Sequence, residues 1–526
     1  MPIKSSHEFC GILRIFNRRF YKNKFNSSNR FYVVLSAKLS SSKYHYFLII
    51  AILIISAFTH LWNASGFPDI FFDEGAYMDR AMHVLNGLGP EEGAFYDHPF
   101  FGQIFLAGVF TIIGYPHSLN SSGDVASISM LYLIPRILMG ILAVVDTFLI
   151  YKIADKRYGK KIALVSAALF AVMPISWIFR RILLDSILLP FLLLSILAAL
   201  YSKDSKYKTP LVLLSGVFLG LAIFTKIPAF TIMPLVGSLV FFYNHKRLKM
   251  LGLWLVPAIM IPLAWPFQSV ESGHLTNWIH DVFYYQTHRV GGSDLYAISK
   301  TFAQMDPVLF FLAVGGLIFV AIRKDYFIIG WFAPFVIFLY LIGYNQYFYW
   351  MQVIPVMCIT VGVLIVKLAE KIPRKQIAKI CMVVAILGIG LFGMLNLVQI
   401  ITTDMTSAQY SAASFVINDT KNRYDASILS GPIYSWMFSN VFHKNNVLIY
   451  YYVLSWPIYT KEAVLVAEPH LFLDFNLGKP LVDLYNSTHT ISTFEGSISK
   501  YNTMHYPYQN LYATNEGSHI EIRIKN

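Results

Sequence analysis

Four residues with side chains suited to catalysis stand close together near the beginning of the chain. Asp73 and Glu74 are adjacent in the segment FFDEGAY, and Asp97 and His98 follow in YDHPFF. A carboxylate at the edge of an apolar layer can take a proton from a hydroxyl group. The pattern predicts Asp73 as a general base and Glu74 as the group that orients the hydroxyl. A structural alternative is a helix N-terminus, where Asp is a favoured cap and Glu complements the helix dipole.

Four cations lie at the ends of apolar runs on the same side of the predicted membrane. Arg136 is near the beginning of the second run, Arg180 and Arg181 end the third, and Lys226 ends the fifth. A fixed cation at such a boundary can hold a phosphate, so the four are candidate phosphate ligands. Two alternatives stay open: snorkelling to lipid headgroups and a helical pair between Arg181 and Asp185.

The composition is that of a membrane protein with many spans. The 526 residues are 56% hydrophobic and only 13% charged, against roughly 25% charged in soluble domains. The net charge of +13 does not indicate nucleic-acid binding, because the basic residues sit in short loops between apolar runs. The three cysteines, at positions 10, 358 and 381, do not suggest a disulfide framework or a zinc site.

Eleven apolar segments are predicted to cross the membrane. They are 44–62, 129–151, 161–179, 186–201, 210–225, 228–243, 250–268, 307–322, 326–343, 350–367 and 376–399. The run 99–113 is not counted, because about 20 residues are needed to cross a bilayer as a helix. We predict that it lies at the outer surface, as does a helix over 75–89 whose apolar face includes Tyr77.

The distribution of Lys and Arg predicts the orientation of these spans. With the N-terminus in the cytoplasm, the predicted cytoplasmic segments contain 27 of the 42 basic residues. This places the basic segment 1–43 inside and the membrane part over 44–400. Its large outer loops are then 63–128, which carries the acidic motif, and 269–306.

Residues 401–526 are more polar than the rest and are predicted to form a small extracytoplasmic α/β domain. The segment 407–419 is typical of a helix. The segments 426–431, 447–453 and 462–468 are typical of strands.

Taken in order, four motifs resemble the GT-C membrane glycosyltransferases, and among them the protein O-mannosyltransferases and aminoarabinose transferases. The motifs are Asp73-Glu74, Asp97-His98-Pro99, the step from Arg181 to Asp185, and the run Gly216, Gly220, Ala222 and Lys226. The resemblance covers about 44–400. It implies a GT-C fold with about eleven transmembrane helices.

The resemblance also implies roles for these residues. The sugar donor would be a polyprenyl or dolichyl phosphate, used on the outer face of the membrane. Asp73 matches the catalytic base, and Glu74 and Tyr77 match positions in the loop that meets the acceptor. The Asp97-His98 step lies where His98 faces the donor. The remaining candidate ligands, for the donor phosphate, are Arg136, Arg180, Arg181 and Lys226.

Two departures from the family pattern concern the acceptor. Phe100 replaces the second proline of the family's His-Pro-Pro step, and the C-terminal segment lacks MIR-like repeats. The acceptor hydroxyl therefore stays open among protein Ser or Thr, a glycan and a lipid. No WWD-type motif is found, which argues against an oligosaccharyltransferase. Since a monophosphate leaving group can be held by Arg and Lys alone, no obligatory metal or other cofactor is expected.

These observations predict an inverting glycosyltransferase of the plasma membrane, with mannose as the first choice of sugar. Two alternatives are a transporter or flippase and a non-catalytic assembly protein. A transporter would account for Asp146, which lies in the middle of a span and has no role in the transferase hypothesis. The oligomeric state is left open by the sequence.

Overall fold

The computed structural model describes residues 44–90, 95–289, 292–419, 427–449, 463–469, 479–496, 506–507 and 517–525. The chain divides into two compact units, Met1–Ile52 and Leu53–Asn526. The first contributes only the beginning of helix α1. All residues of the candidate site belong to the second unit.

Helices account for most of the chain up to residue 401. Their bounds are α1 Tyr44–Leu61, α2 Phe72–Leu85, α3 Phe101–Ile113, α4 Val125–Tyr158, α5 Lys160–Val172, α6 Leu184–Ser202, α7 Lys208–Thr225, α8 Met233–Tyr243, α9 Leu248–Met260, α10 Ala264–Glu271, α11 Leu275–Ile279, α12 Gln286–His288, α13 Leu295–Met305, α14 Pro307–Ile322, α15 Tyr326–Ile342, α16 Ile354–Ala369 and α17 Lys375–Ile401. Among the described residues, four 3-10 helices, His117–Leu119, Pro174–Arg180, Ile227–Ile232 and Tyr347–Gln352, and one π-helix, His280–Tyr285, lie between them.

Each of the eleven segments predicted to span the membrane is mainly helical. In the described part of the chain, six helices are long and apolar enough to cross a membrane. A seventh span is formed if α5 and the following 3-10 helix, which are bent by 70°, count as one. The other predicted segments contain shorter helices. The chain is thus a multi-pass membrane protein, and the count of eleven stays a prediction.

Glycines allow close packing of α7 on α9. A Cβ atom at Gly216 would lie 2.2 Å from the carbonyl oxygen of Trp254, and one at Gly220 would lie 2.5 Å from that of Pro257. Small residues four positions apart let two helix backbones approach each other in a membrane. This contact fixes the C-terminal end of α7, where Lys226 follows.

In the described residues of the C-terminal part, there are a five-stranded sheet and three further helices. The elements are α18 Ser407–Asp419, β1 Ser427–Ser430, α19 Pro432–Asn440, β2 Val447–Ile449, β3 Ala463–Ala467, α20 Lys479–Asn486, β4 His489–Glu495 and β5 His519–Lys525. The strand order is β2-β1-β3-β5-β4. The first three strands are parallel, whereas β5 is antiparallel to β3 and β4 is antiparallel to β5. Strands lie within the three segments predicted from the sequence, of which residues 426, 450–453 and 462 are outside the described residues.

The two faces of the sheet pack on different helices, because successive side chains along a strand point to opposite faces. Val464 and Val466 belong to a core shared with α18, α19, α2 and α4. Leu465 and its neighbours pack on α20. The first of these cores continues directly to the acidic segment around Asp73.

Candidate active site

Helix α2 directs the two adjacent acids to different surroundings. Its N-cap is Phe71, so Asp73 and Glu74 occupy the first turn of the helix and neither acid is the cap. Neighbouring residues on a helix are about 100° apart, whereas residues four and seven apart share a face. Asp73 therefore shares a face with Tyr77 and Arg80, while Glu74 points to the interior.

Glu74 is completely buried among hydrogen-bond donors. Arg136 donates from Nη2 to Oε1 at 2.9 Å and from Nε to Oε2 at 3.1 Å. Arg181 Nη1 donates to Oε1 at 3.0 Å, and the backbone amides of Phe71 and Ile182 donate at 3.1 Å each. Burial raises the pKa of Glu74, but the two guanidinium groups outweigh it and hold this pKa below its usual range.

A second buried acid, Asp69, completes this charge cluster. Arg181 Nη2 lies 2.5 Å from Asp69 Oδ1. The Tyr506 hydroxyl donates to the same oxygen and accepts a hydrogen bond from Arg181 Nη2 at 2.9 Å. Arg136 donates to the carbonyl oxygens of Pro68 and Asp69. The charges of two arginines and two carboxylates balance, and all four side chains are fully buried.

This cluster corrects three sequence predictions. Glu74 does not orient an acceptor, since its oxygens already accept five hydrogen bonds. Arg136 and Arg181 are not placed as phosphate ligands, since both are fully buried around Glu74 and neither is among the cations that act most on the pKa of Asp73. The partners of Arg181 are Asp69 and Glu74, and not Asp185.

Arg180 also lies away from Asp73. It is fully buried, donates to the carbonyl oxygen of Trp62, and has its guanidinium carbon 5.4 Å from the centre of the Phe67 ring. Its Nε and Nη1 have no hydrogen-bond partner among the described residues. The prediction that Arg180 holds a donor phosphate is therefore not supported by its position.

Asp73 faces an open, mostly cationic surface. Its side chain is half-buried, and no described residue forms a hydrogen bond or ion pair with it. Burial raises the pKa of Asp73 to about 6, while Lys226, Arg289 and Arg80 act to lower it and Asp97 acts to raise it. A carboxylate with these properties is ionised at neutral pH and is available to accept a proton.

Lys226 meets Asp73 from the end of α7. Its Nζ lies 2.6 Å from Asp185 Oδ2 and 4.5 Å from the centre of the Tyr349 ring. Gln352 donates to the other oxygen of Asp185 at 3.2 Å. The lysine is thus held in place by one carboxylate and one ring, and its role toward the donor phosphate stays a prediction.

The Asp97-His98 step also reaches this surface. Asp97 pairs with Arg80 at 2.8 Å, and its backbone carbonyl accepts a hydrogen bond from Gln286 at 2.6 Å. Burial raises the pKa of Asp97, but Arg80 and His98 bring it down to about 2. The pKa of His98 falls to about 3, mainly through burial, so this imidazole is neutral at physiological pH. The His98 and Tyr77 rings are 6.4 Å apart.

Arg289 is a member of the site that the sequence analysis did not single out. Its Nη2 donates to the Tyr344 hydroxyl at 3.1 Å, and its guanidinium carbon lies 4.0 Å from the centre of the Tyr344 ring. No carboxylate of the described residues is within ion-pair distance of it. The sequence could have identified Arg289 as a candidate. It is one of only seven basic residues outside the predicted cytoplasmic loops and C-terminal segment.

The aromatic segment 344–350 is part of the protein interior. Tyr347, Phe348, Tyr349 and Trp350 are buried. The Trp350 indole donates to the carbonyl oxygen of Ile298 at 3.2 Å. These four residues therefore pack inside the protein and do not form an aromatic belt at the membrane surface.

A search of the described residues finds no group of three or more His, Cys, Asp or Glu side chains placed to hold a metal ion. The charged groups at the candidate site are Asp73, Asp97, Asp185, Arg80, Arg289 and Lys226. Two of these cations are paired with carboxylates, and Arg289 is not. The arrangement can accept a proton at Asp73 and stabilise an anion beside it.

Comparisons with known proteins show similarity in sequence profile and in fold. The profile of the dolichyl-phosphate-mannose-protein mannosyltransferase family matches residues 50–266. No curated protein matches the chain. ArnT from Cupriavidus metallidurans, solved with undecaprenyl phosphate, is similar over 91% of this chain and 97% of its own, with a TM-score of 0.56 and 12% identity.

A second solved structure is the archaeal oligosaccharyltransferase AglB from Archaeoglobus fulgidus, in complex with an inhibitory peptide and a dolichol-phosphate. It is similar over 88% of this chain and 75% of its own, with a TM-score of 0.54 and 11% identity. ArnT, AglB and the matching family are all GT-C glycosyltransferases, and the chain has their fold.

Proposed function

We propose that the protein is an inverting glycosyltransferase that moves a sugar from a polyprenyl or dolichyl phosphate to a hydroxyl group. The observation that carries this proposal is Asp73. It is a half-buried carboxylate with a pKa of about 6 and no hydrogen-bond partner among the described residues, and it faces Lys226 and Arg289. Mannose is our first choice of sugar, because the matching family profile is that of mannosyltransferases.

The reaction is a single displacement at the anomeric carbon. Asp73 takes the proton from the acceptor hydroxyl as its oxygen forms the new bond to that carbon. The bond from the anomeric carbon to the phosphate oxygen breaks, and the electron pair leaves with the phosphate. Lys226 and Arg289 stabilise the negative charge that develops on this group. Attack opposite the leaving group inverts the anomeric configuration.

The two cations also support a mechanism without an obligatory metal ion. A lipid monophosphate presents one phosphate group, and Arg binds phosphate oxygens through paired N–H groups while Lys acts as a point charge. Arg289 is held by Tyr344 and is not neutralised by a described carboxylate. Its charge is therefore available to the leaving group.

The remaining residues near Asp73 position it or contact the substrates. The buried cluster of Asp69, Glu74, Arg136 and Arg181 fixes the first turn of α2, and so the direction of Asp73. Tyr77 and His98 contact the sugar or the acceptor as neutral hydrogen-bonding groups. The acceptor is a hydroxyl of a protein, a glycan or a lipid.

The proposal includes the topology predicted from the basic loops, which stays a prediction. The chain crosses the plasma membrane eleven times, with its N-terminus in the cytoplasm and its C-terminal sheet outside. The site then lies on the outer face. The known ligands of related folds support the donor class, since ArnT was solved with undecaprenyl phosphate and AglB with dolichol-phosphate.

The test is a transfer assay with purified full-length protein in lipid. Radiolabelled polyprenyl-phosphate mannose and an extract of cell-envelope acceptors are supplied to the wild type and to Asp73→Asn. We expect label to move to a new product with the wild type only. The assay is repeated with glucosyl and aminoarabinosyl donors. If none of the three donors is consumed, the result would contradict the proposal and favour the transport or assembly alternatives.

A further inference from the structure

A basic cavity lies at the far end of the helices that carry the candidate active site. It has a volume of about 260 Å³, and its charged lining consists of Arg157, Arg323, Lys324, Lys367 and Asp325. These residues come from the end of α4, the turn between α14 and α15, and the last turn of α16. Three separate basic loops thus converge on one cavity.

The cavity is distinct from the active site. Arg136, which binds Glu74, and Tyr158, which lines the cavity, are both on α4. At 1.5 Å per residue they are about 33 Å apart along the helix axis. This is close to the thickness of the hydrocarbon core of a bilayer, about 30 Å. The cavity therefore lies at the opposite membrane surface from Asp73.

The positive charge of the cavity is only partly neutralised. Arg157 lies 3.7 Å from Asp325, and Lys367 pairs with Glu370 at 2.8 Å in an exposed contact. Arg323 and Lys324 have no carboxylate within ion-pair distance in the described part of the chain. Four cations around so small a cavity repel one another unless an anion is bound between them.

The backbone of Lys324 adds an independent observation. Its φ angle is +56°, a left-handed conformation that favours glycine. The position follows the C-terminus of α14, where the amide of Asp325 donates to the carbonyl oxygen of Val320 at 3.0 Å. Glycine is the usual residue at such a helix end. The chain has a lysine there, which lines the cavity.

We propose that this cavity binds the phosphate headgroup of an anionic membrane lipid. The volume suits a headgroup and is smaller than that of sites that enclose a whole ligand. Apolar surface for the acyl chains lies next to it, because Ile318 and Ile322 of α14 are 58% and 77% exposed. Basic pockets between spans on the cytoplasmic side are suited to such headgroups. The proposal does not depend on the glycosyl transfer reaction.

The test compares two identical substitutions in the full-length protein. Lys324→Gly removes one cation from the cavity and relieves the left-handed backbone, so the variant is expected to fold at least as well as the wild type. Lys246→Gly is the matched control, because Lys246 also has a φ of +56° and is not among the lining residues. Retention of phosphatidylglycerol and phosphatidylcholine is measured by native mass spectrometry, and Tm is measured without added lipid.

We expect the wild type and Lys246→Gly to prefer phosphatidylglycerol to phosphatidylcholine. Lys324→Gly should bind phosphatidylglycerol about fivefold more weakly, the effect of one cation near a membrane surface. Equal weakening in both variants, or equal retention of the two lipids by the wild type, would overturn the proposal. Inorganic phosphate alone could also raise the Tm of the wild type but not that of Lys324→Gly. This result would overturn the lipid proposal and identify the ligand as a soluble anion.

Discussion

At the scale of single residues, Asp73 and Glu74 are neighbours with opposite properties. Asp73 is half-buried and unpaired among the described residues, whereas Glu74 is fully buried and accepts hydrogen bonds from two arginines. The difference follows from the rotation of about 100° per residue on a helix. Two adjacent acids therefore supply one group for chemistry and one group that fixes the backbone.

This contrast predicts different effects for two conservative substitutions. Asp73→Asn should abolish transfer and leave Tm unchanged, since it removes no ion pair. Glu74→Gln leaves Arg136 and Arg181 without enough negative charge to balance them. Because removing one partner of a buried ion pair costs about 3–5 kcal/mol, the free energy of unfolding of this variant should fall by about that amount. Thermal melting in detergent, together with the transfer assay, separates the two roles. Similar Tm values for both variants would contradict this assignment.

The pKa of Asp73 predicts the pH dependence of the reaction. A general base must be ionised, so kcat/KM should be constant above about pH 7 and fall as the pH decreases through about 6. Arg289 acts to lower the pKa of Asp73. Arg289→Gln should therefore shift the fall in kcat/KM to higher pH. The substitution should also raise the KM for the donor.

The control for this shift is Lys300→Gln, which removes a cation from the same predicted outer loop. Lys300 is not among the groups that shift the pKa of Asp73, so its pH profile should match that of the wild type. Values of kcat/KM measured between pH 4.5 and 8.5 would show where the activity falls. A flat profile between pH 5 and 7 would exclude Asp73 as the titrating base.

Sequence reasoning singled out Asp73 and Lys226, whose roles stay predictions, but it did not identify the partners of the arginines. A carboxylate beside an apolar run and a lysine at a helix end can be recognised locally. The acidic partners of Arg136 and Arg181 are 62 to 112 positions away in the chain, so only the tertiary fold brings them together. Asp69, the second acid of the buried cluster, carries no local signal of this kind.

At the scale of elements, the close approach of α2 and α19 holds the acidic turn. Gly75 follows Glu74 directly, and a Cβ atom at this position would lie 2.3 Å from the backbone of Pro432. The Tyr132 hydroxyl donates to the carbonyl oxygen of Ile433 at 2.8 Å and ties α19 to α4 as well. The turn that carries Asp73 is thus packed between a membrane helix and the C-terminal part.

Gly75→Ala should therefore destabilise the protein by about 1–3 kcal/mol, because the backbone of α19 must move to admit a methyl group. The matched control is Gly108→Ala in α3, where a Cβ atom meets nothing within 4 Å. There alanine should stabilise the helix by up to about 1 kcal/mol. Melting temperatures of the two variants test the contact, and a Gly75→Ala protein as stable as the control would exclude it.

The elements themselves were only partly predictable. The strands over 427–430, 447–449 and 463–467 were expected from their apolar runs. β5 was missed, although HIEIRIK alternates in the way typical of a strand with one buried face, and Ile520, Ile522 and Ile524 are buried. The count of spans is harder to derive, since several helices are shorter than the roughly 20 residues of a simple crossing.

At the scale of the whole molecule, Asp146 distinguishes the transferase from a transporter. It is fully buried in α4, and its two carboxylate oxygens have no hydrogen-bond partner among the described residues. A transporter that uses this carboxylate to carry a cation would need it. The proposed reaction does not.

Asp146→Asn should accordingly leave the transfer rate within about twofold of the wild type, and Tm should be nearly unchanged, since the amide has almost the same volume and no hydrogen bond to a described residue is lost. The same purified protein serves for both measurements. Loss of transfer in a variant that retains its Tm would give Asp146 a role in the reaction.

The hydrogen bond between Tyr506 and Asp69 joins residues 437 positions apart. At 5 to 20 residues per second, the ribosome needs roughly 20 to 90 seconds to make the intervening chain. During that time the early spans are already in the membrane, but the buried cluster beneath Asp73 lacks its last member. The buried cluster beneath Asp73 is therefore completed only after Tyr506 has been made, long after the turn that carries Asp73.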